Sequence, residues 1–142
     1  MKRIDAYLFF DNNCREVMTF YQECLGGELN LMTIAQSPIA AQMPEHMADL
    51  IMHACLNNGD VILMASDNCM GQPIPRGKNV TLSLNCSSEE EVHALYAKLS
   101  AGGQANNPPK LEFWGDVFGM LTDKYDQDWM VTYSLKSNSE KL

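Results

Sequence analysis

Apolar positions set the first pattern in this chain. After Asn13 they fall at Val17, Phe20, Tyr21, Cys24 and Leu25, the i, i+3, i+4, i+7, i+8 stripe of a helix with one buried face. Asn13 stands three residues before Glu16, so a capping box is expected at the start, and Gly26-Gly27 supplies a left-handed stop. The pattern then returns. Ser88 precedes Glu91 by three residues, Val92, Leu95, Tyr96 and Leu99 form the stripe, and Gly102-Gly103 closes it. One constant offset carries Glu16 onto Glu91, Val17 onto Val92, Phe20 onto Leu95 and Tyr21 onto Tyr96.

The flanking segments repeat as well. Residues 4–10 read as an aromatic-rich strand before the first helix. Residues 80–86 alternate Val80, Leu82 and Leu84 with Thr81, Ser83 and Asn85, a half-buried strand before the second. Strands are predicted at 28–34, 50–57 and 60–66 after the first helix, with Asn57-Asn58-Gly59-Asp60 as a hairpin turn between the last two. After the second helix they are predicted at 110–114, 117–122 and 129–135. Residues 35–49 are irregular and interrupt a sheet, which predicts a loop over a pocket, a partner-contacting arm or a mobile segment.

The pattern therefore predicts an α+β fold of two βαβββ modules forming a curved mixed sheet with helices outside. The first module is residues 1–67, a Gly/Pro-containing linker covers 68–78, the second module is 79–136, and 137–142 is a tail, all within one structural domain. The concave face of such a sheet is the natural ligand site.

Composition narrows the partners. The chain has 142 residues, 46% of them hydrophobic and 20% charged, enough to build a core. Its net charge of −8, with no local Lys/Arg cluster, argues against nucleic acid and against anionic membrane surfaces. No apolar run approaches the roughly 18 residues of a membrane span, and the start of the chain does not read as a signal peptide. The five cysteines include no C-x-x-C pair and suggest neither a disulfide framework nor a zinc knuckle. These features predict a cytoplasmic protein.

Several stretches carry a resemblance: "YLFFDNNCREVMTFYQECLGGEL", "MHACLNNGDVILMASD", "VTLSLNC" and "FWGDVFGMLTDKYDQDW". Together with the repeated βαβββ order, they resemble the PhnB-like branch of the glyoxalase/bleomycin resistance/dioxygenase superfamily, also called vicinal oxygen chelate. That branch is often labelled 3-demethylubiquinone-9 3-methyltransferase-like. One departure is Asp123-Lys124-Tyr125-Asp126, where the family often has Asp-Pro-Phe-Gly. The turn there is expected to differ, with Asp tolerating positive φ.

In metal-using members, the resemblance implies one divalent ion held by His, Glu or Gln from the first and last strands of both modules. The repeat maps those positions to Ala6, Thr81, Ile62 and Met130, and a shift of one residue brings Asp5 to one corner. None of the four mapped residues makes the usual site. No metal and no cofactor are therefore expected. With Thr81 facing the cup, Ser83 and Asn85 do too; Leu8 and Phe10 are expected to join Ala6 there, with Ile62, Met64, Met130 and Thr132. The candidate ligand-binding residues are Phe10, His53, Met64, Thr81, Ser83, Trp114 and Met130.

His53 reads either as a general base or relocated ligand, or as a hydrogen-bonded strand histidine without a partner visible in the sequence. His46 and His93 read as loop and solvated residues. Three functions follow. The first is binding of a small, uncharged or partly aromatic molecule without the metal. The second is an enzyme using His53 or relocated ligands. The third is an assembly module, since superfamily members commonly form homodimers. Whether the chain catalyses a reaction stays open at this stage, as does the identity of the ligand.

Overall fold

The computed structural model describes residues 3–135; the expected tail at 137–142, and Lys136 at the end of the second module, lie outside the described residues. The chain divides into two compact units, Met1–Arg76 and Gly77–Leu142. Unit 1 runs β1 (Ala6–Phe10), α1 (Cys14–Leu25), β2 (Glu28–Thr33), β3 (Ile51–Asn57) and β4 (Ile62–Asp67), with single 3₁₀ turns at Ala40–Gln42 and Glu45–Met47. Unit 2 runs β5 (Leu82–Asn85), α2 (Glu89–Ser100), β6 (Gln104–Leu111), β7 (Asp116–Thr122) and β8 (Asp128–Ser134). The strand orders are β1-β4-β3-β2 and β5-β8-β7-β6, each with its first strand parallel to its last. The α+β fold of two βαβββ modules is thus present, with its strands hydrogen-bonded as one four-stranded mixed sheet per module.

In unit 1 the helix buries Cys14, Val17, Met18, Tyr21 and Cys24. The opposing sheet face supplies Ala54, Leu56, Leu63 and Ala65, all buried. The expected capping box is absent: Asn13 makes no side-chain cap bond. The carboxylate of Asp67, at the end of β4, takes the Cys14 amide at 2.9 Å and the Ile51 amide at 2.8 Å. An anion on the first helical amide also complements the helix dipole. The cap thus comes from the other end of the module's chain and joins helix start to strand start. The predicted hairpin forms, with Asn57 Oδ1 accepting from Gly59 N at 2.8 Å and Asn58 Oδ1 from Val61 N at 2.8 Å. Asn58 Nδ2 also donates to Leu25 O at 3.1 Å, fastening the turn to the end of α1.

In unit 2 the Ser88 cap forms. Ser88 Oγ accepts from Glu91 N at 3.1 Å, and Glu91 Oε1 accepts from the amide of Ser87, one residue before the cap, at 2.9 Å. Val92, Tyr96 and Leu99 are buried. The strand expected at 110–114 is instead β6, from Gln104 to Leu111, and it includes Pro108 and Pro109. Proline donates no ladder bond, and β6 tolerates it as an edge strand whose register shifts at Asn107. Gly119 on β7 is what lets this strand and the helix come close. A Cβ there would lie 2.9 Å from Pro109 Cγ and 3.1 Å from Tyr96 Cδ2. The last hairpin turns on buried Asp123, whose carboxylate accepts from Tyr125 N (2.8 Å), Gln127 N (3.1 Å) and Trp129 Nε1 (2.8 Å). Asp126 takes positive φ, +69°, at the place expected from the altered turn sequence.

Replacing Asp67 with Ala orphans two buried amides and is expected to cost about 3 kcal/mol in chemical denaturation, with Asp67→Asn losing roughly half as much. Gly119→Ala is expected to cost on the order of 1–3 kcal/mol by the same measurement, because ring and backbone atoms must move to admit the methyl.

Candidate functional site

Alternation along the paired strands gives each sheet a face away from its helix. In unit 1 that open face carries Tyr7 and Phe9 on β1, Ile62 and Met64 on β4, His53 and Cys55 on β3, and Met32 on β2. Tyr7 pairs with Met64, Met64 with Cys55, and His53 with Met32. The Tyr7 hydroxyl lies 3.3 Å from His53 Nδ1, with ring centroids 5.9 Å apart, so His53 does have a polar partner on this face. The Phe9 ring lies 5.1 Å from the Tyr7 ring, tilted by 42°. Tyr7 is 40% exposed and Phe9 56%.

His53 and Met64 stand on this face. Phe10 does not: it is 3% exposed, and it shares the helix-facing side with Leu8 and Ala6, whose partners Ala65 and Leu63 are buried. The sequence reading of β1 was therefore out of phase by one residue. All five residues from Ala6 to Phe10 are apolar or aromatic, so the strand has no alternation of its own, and pairing with β4 sets its phase. Tyr7 and Phe9 were missed for that reason.

In unit 2 the strand did alternate, and its orientation follows the pattern. Ser83 pairs with Met130 and Asn85 with Thr132 on the open face, continued by Phe118 and Met120 on β7. Thr81 stands half-buried just before β5. Trp114 lies in the turn before β7, with its ring edge-on to Phe118 at 5.7 Å and its Nε1 donating to Asp116 Oδ2 at 3.1 Å. Of the seven sequence candidates, unit 1 holds Phe10, His53 and Met64, and unit 2 holds Thr81, Ser83, Trp114 and Met130.

The pairing removes one of the four mapped metal positions from the open face: Ala6 pairs with buried Leu63 on the helix-facing side, leaving Asp5 and Tyr7 as its neighbours in the open-face phase. Tyr7 stands beside Met64 in unit 1, and Ser83 beside Met130 in unit 2. Neither a phenol beside a thioether in unit 1 nor a hydroxyl beside a thioether in unit 2 fits a hard or borderline divalent ion. Carboxylates occur one row outward and are held by other groups: Asp5 by Arg3 Nε at 3.0 Å, Asp128 by Thr122 Oγ1 at 2.7 Å and Lys78 Nζ at 3.4 Å. Among the described residues no three His, Cys, Asp or Glu side chains form a metal-holding group. The Cys14 and Cys86 thiols are poor nucleophiles. Burial, with Asp67 nearby, pushes Cys14 up to about 12, and burial with Glu91 nearby pushes Cys86 up to about 11.

A cavity of about 560 Å³ opens at the end of β1 within unit 1, lined by Asp11, His46, Met47, Leu50, Cys69 and Met70 among others. The 35–49 segment thus contributes to a pocket wall. The start of the linker forms another wall, tied down by Asp11, which accepts from Asn68 Nδ2 at 3.0 Å and Ile74 N at 3.1 Å. None of the seven sequence candidates lines this cavity. Its walls meet only through contacts distant in sequence, which no local pattern announces. Among the described residues no helix is long and apolar enough to cross a membrane.

Comparison with known proteins places this geometry. The chain is 29% identical over 136 residues to Protein YjdN of Escherichia coli (strain K12), covering 90% of this chain and 92% of that one. The crystal structure of protein PA1353 from Pseudomonas aeruginosa superposes with a TM-score of 0.83 at 38% identity, covering 94% of this chain and 98% of that one. A Bacillus cereus PhnB protein, described as a putative 3-demethylubiquinone-9 3-methyltransferase, shares the fold with a TM-score of 0.72 at 22% identity, covering 94% and 100%. The family model for the Glyoxalase/Bleomycin resistance protein/Dioxygenase superfamily matches residues 3–131, and the chain belongs to that superfamily.

Proposed function

We propose that this chain binds a small, uncharged or partly aromatic molecule on the open faces of its sheets, without the metal used by other members of the superfamily. The observation that carries the reading is the donor set. The paired first and last strands present Tyr7, Met64, Ser83 and Met130, which are apolar or weakly polar contacts rather than metal ligands. Thioethers and aromatic rings adapt to flat apolar surfaces, while Ser83, Asn85 and Thr132 add neutral hydrogen-bonding groups in unit 2. The methyltransferase description of the Bacillus cereus protein is not carried over. At 22% identity that likeness supports the fold, and this chain shows no sequence fingerprint for a methyl donor.

Metal analysis of the purified protein is expected to give far less than one equivalent of zinc, nickel, manganese or iron; a stoichiometric metal would overturn the metal-free part of the reading. Binding itself is read from methionine methyl resonances. Toluene near saturation is expected to shift Met64 and Met130 while leaving Met18, a buried residue of α1, unmoved; a spectrum without shifts at Met64 and Met130 counts against an open-face site. Iodoacetamide at pH 8 is expected to leave Cys14 and Cys86 unmodified in the native protein, as mass spectrometry of the digest can check, because both thiols stay protonated there.

A further inference from the structure

Tyr7 and His53 are far apart in sequence and meet on the open face of unit 1 through a 3.3 Å contact between Oη and Nδ1. A neutral phenol and a neutral imidazole can share this contact in two ways. If Tyr7 donates to Nδ1, the ring proton sits on Nε2, and the pair offers a ligand the Nε2–H donor and a lone pair on Oη. If Nδ1–H donates to Oη, the roles exchange, and the pair offers the Tyr7 O–H and an accepting Nε2. In both arrangements the two neutral groups together present one donor and one acceptor.

The surroundings restrict what such a pair can read. Phe9 is 56% exposed beside the Tyr7 ring, and Met64 lies next to Tyr7 on the paired strand β4. These are surfaces for a flat apolar body. The nearest charges on this side stand at its margins, Asp5 paired with Arg3 one row out from Tyr7 and Glu28 at the start of β2, while Phe9, Met32, Cys55, Ile62 and Met64 around the pair carry none, and the chain's net charge of −8 disfavours anions further. The pair is also accessible, with Tyr7 40% exposed and His53 half-buried, which suits contact with a ligand.

We infer that Tyr7 and His53 form the polar recognition element of the open face of unit 1, selecting an uncharged planar ligand that carries both a hydrogen-bond donor and an acceptor, such as a carboxamide on an aromatic ring. This rests on the small-molecule reading above and adds the ligand's chemistry to it. Tyr7 acts partly through His53, because the hydrogen bond between them fixes which imidazole nitrogen carries the proton. Tyr7→Phe keeps the ring and its packing while removing that bond.

The test uses the full chain and three probes, benzamide, N,N-dimethylbenzamide and toluene, titrated by NMR into the unsubstituted protein and Tyr7→Phe. Benzamide is expected to bind the unsubstituted protein more tightly than its dimethyl derivative, which lacks the donor. Tyr7→Phe is expected to weaken benzamide about three- to tenfold, the effect of one neutral hydrogen bond, and to leave toluene unchanged. The His53 ring ¹⁵N resonances are expected to show one dominant tautomer in the unsubstituted protein and a mixture in Tyr7→Phe. Equal benzamide affinity in both proteins, or an unaltered tautomer, would overturn the inference while leaving small-molecule binding intact. If no probe shifts any open-face resonance, the inference and the small-molecule reading fail together.

Discussion

Asp67 ends β4 with its carboxylate buried, and from there it receives the amide of Cys14 at the start of α1 and the amide of Ile51 at the start of β3. Two backbone donors that would otherwise face an apolar interior are satisfied by one charged group. This fixes where the helix begins relative to the sheet. It also fixes the phase of β1, because the same β4 strand pairs with β1 from Ala6 to Phe10. Once Leu63 and Ala65 are under α1, Tyr7 and Phe9 must point to the other side. The open face of unit 1 is thus a consequence of how the helix is anchored.

Unit 2 reaches the same topology with different means. Its helix is capped locally by Ser88 and Glu91, and its buried carboxylate, Asp123, organises the β7–β8 turn and the Trp129 indole instead of the helix start. A buried carboxylate must be surrounded by donors wherever it occurs, so each unit has built its most demanding hydrogen-bond network around one aspartate. The two networks stand at different corners of the βαβββ plan. The repeat therefore preserves strand order and helix packing while leaving the polar clasp free to move.

The chemistry of the open faces follows from pairing as well. Where first and last strands pair on the open faces, unit 1 carries Tyr7 beside Met64 and unit 2 carries Ser83 beside Met130. Soft, neutral and aromatic groups reward desolvation of a flat ligand and a few directed hydrogen bonds more than they reward a divalent ion. The Tyr7–His53 contact belongs to the same logic: a phenol and an imidazole brought together by the sheet can exchange donor and acceptor roles according to the tautomer.

The sequence by itself determined the two helices, their glycine stops, the Asn57–Asp60 hairpin turn and the doubled βαβββ order, because these depend on periodicity and on residues close in the chain. It also determined the orientation of β5, where apolar and polar residues alternate, and so placed Ser83 on the face away from the helix. Only the tertiary structure decided the phase of β1, since an unbroken run from Ala6 to Phe10 gives no preference between its two faces; this moved Phe10 into the core and brought Tyr7 out to meet His53. It likewise decided the extent of β6, where an edge position makes two prolines harmless, and the cap of α1, where a carboxylate from the far end of the module replaces the local Asn13. Local pattern fixes an element when the competing arrangements differ in nearby residues; where they differ only in a distant partner, the partner decides.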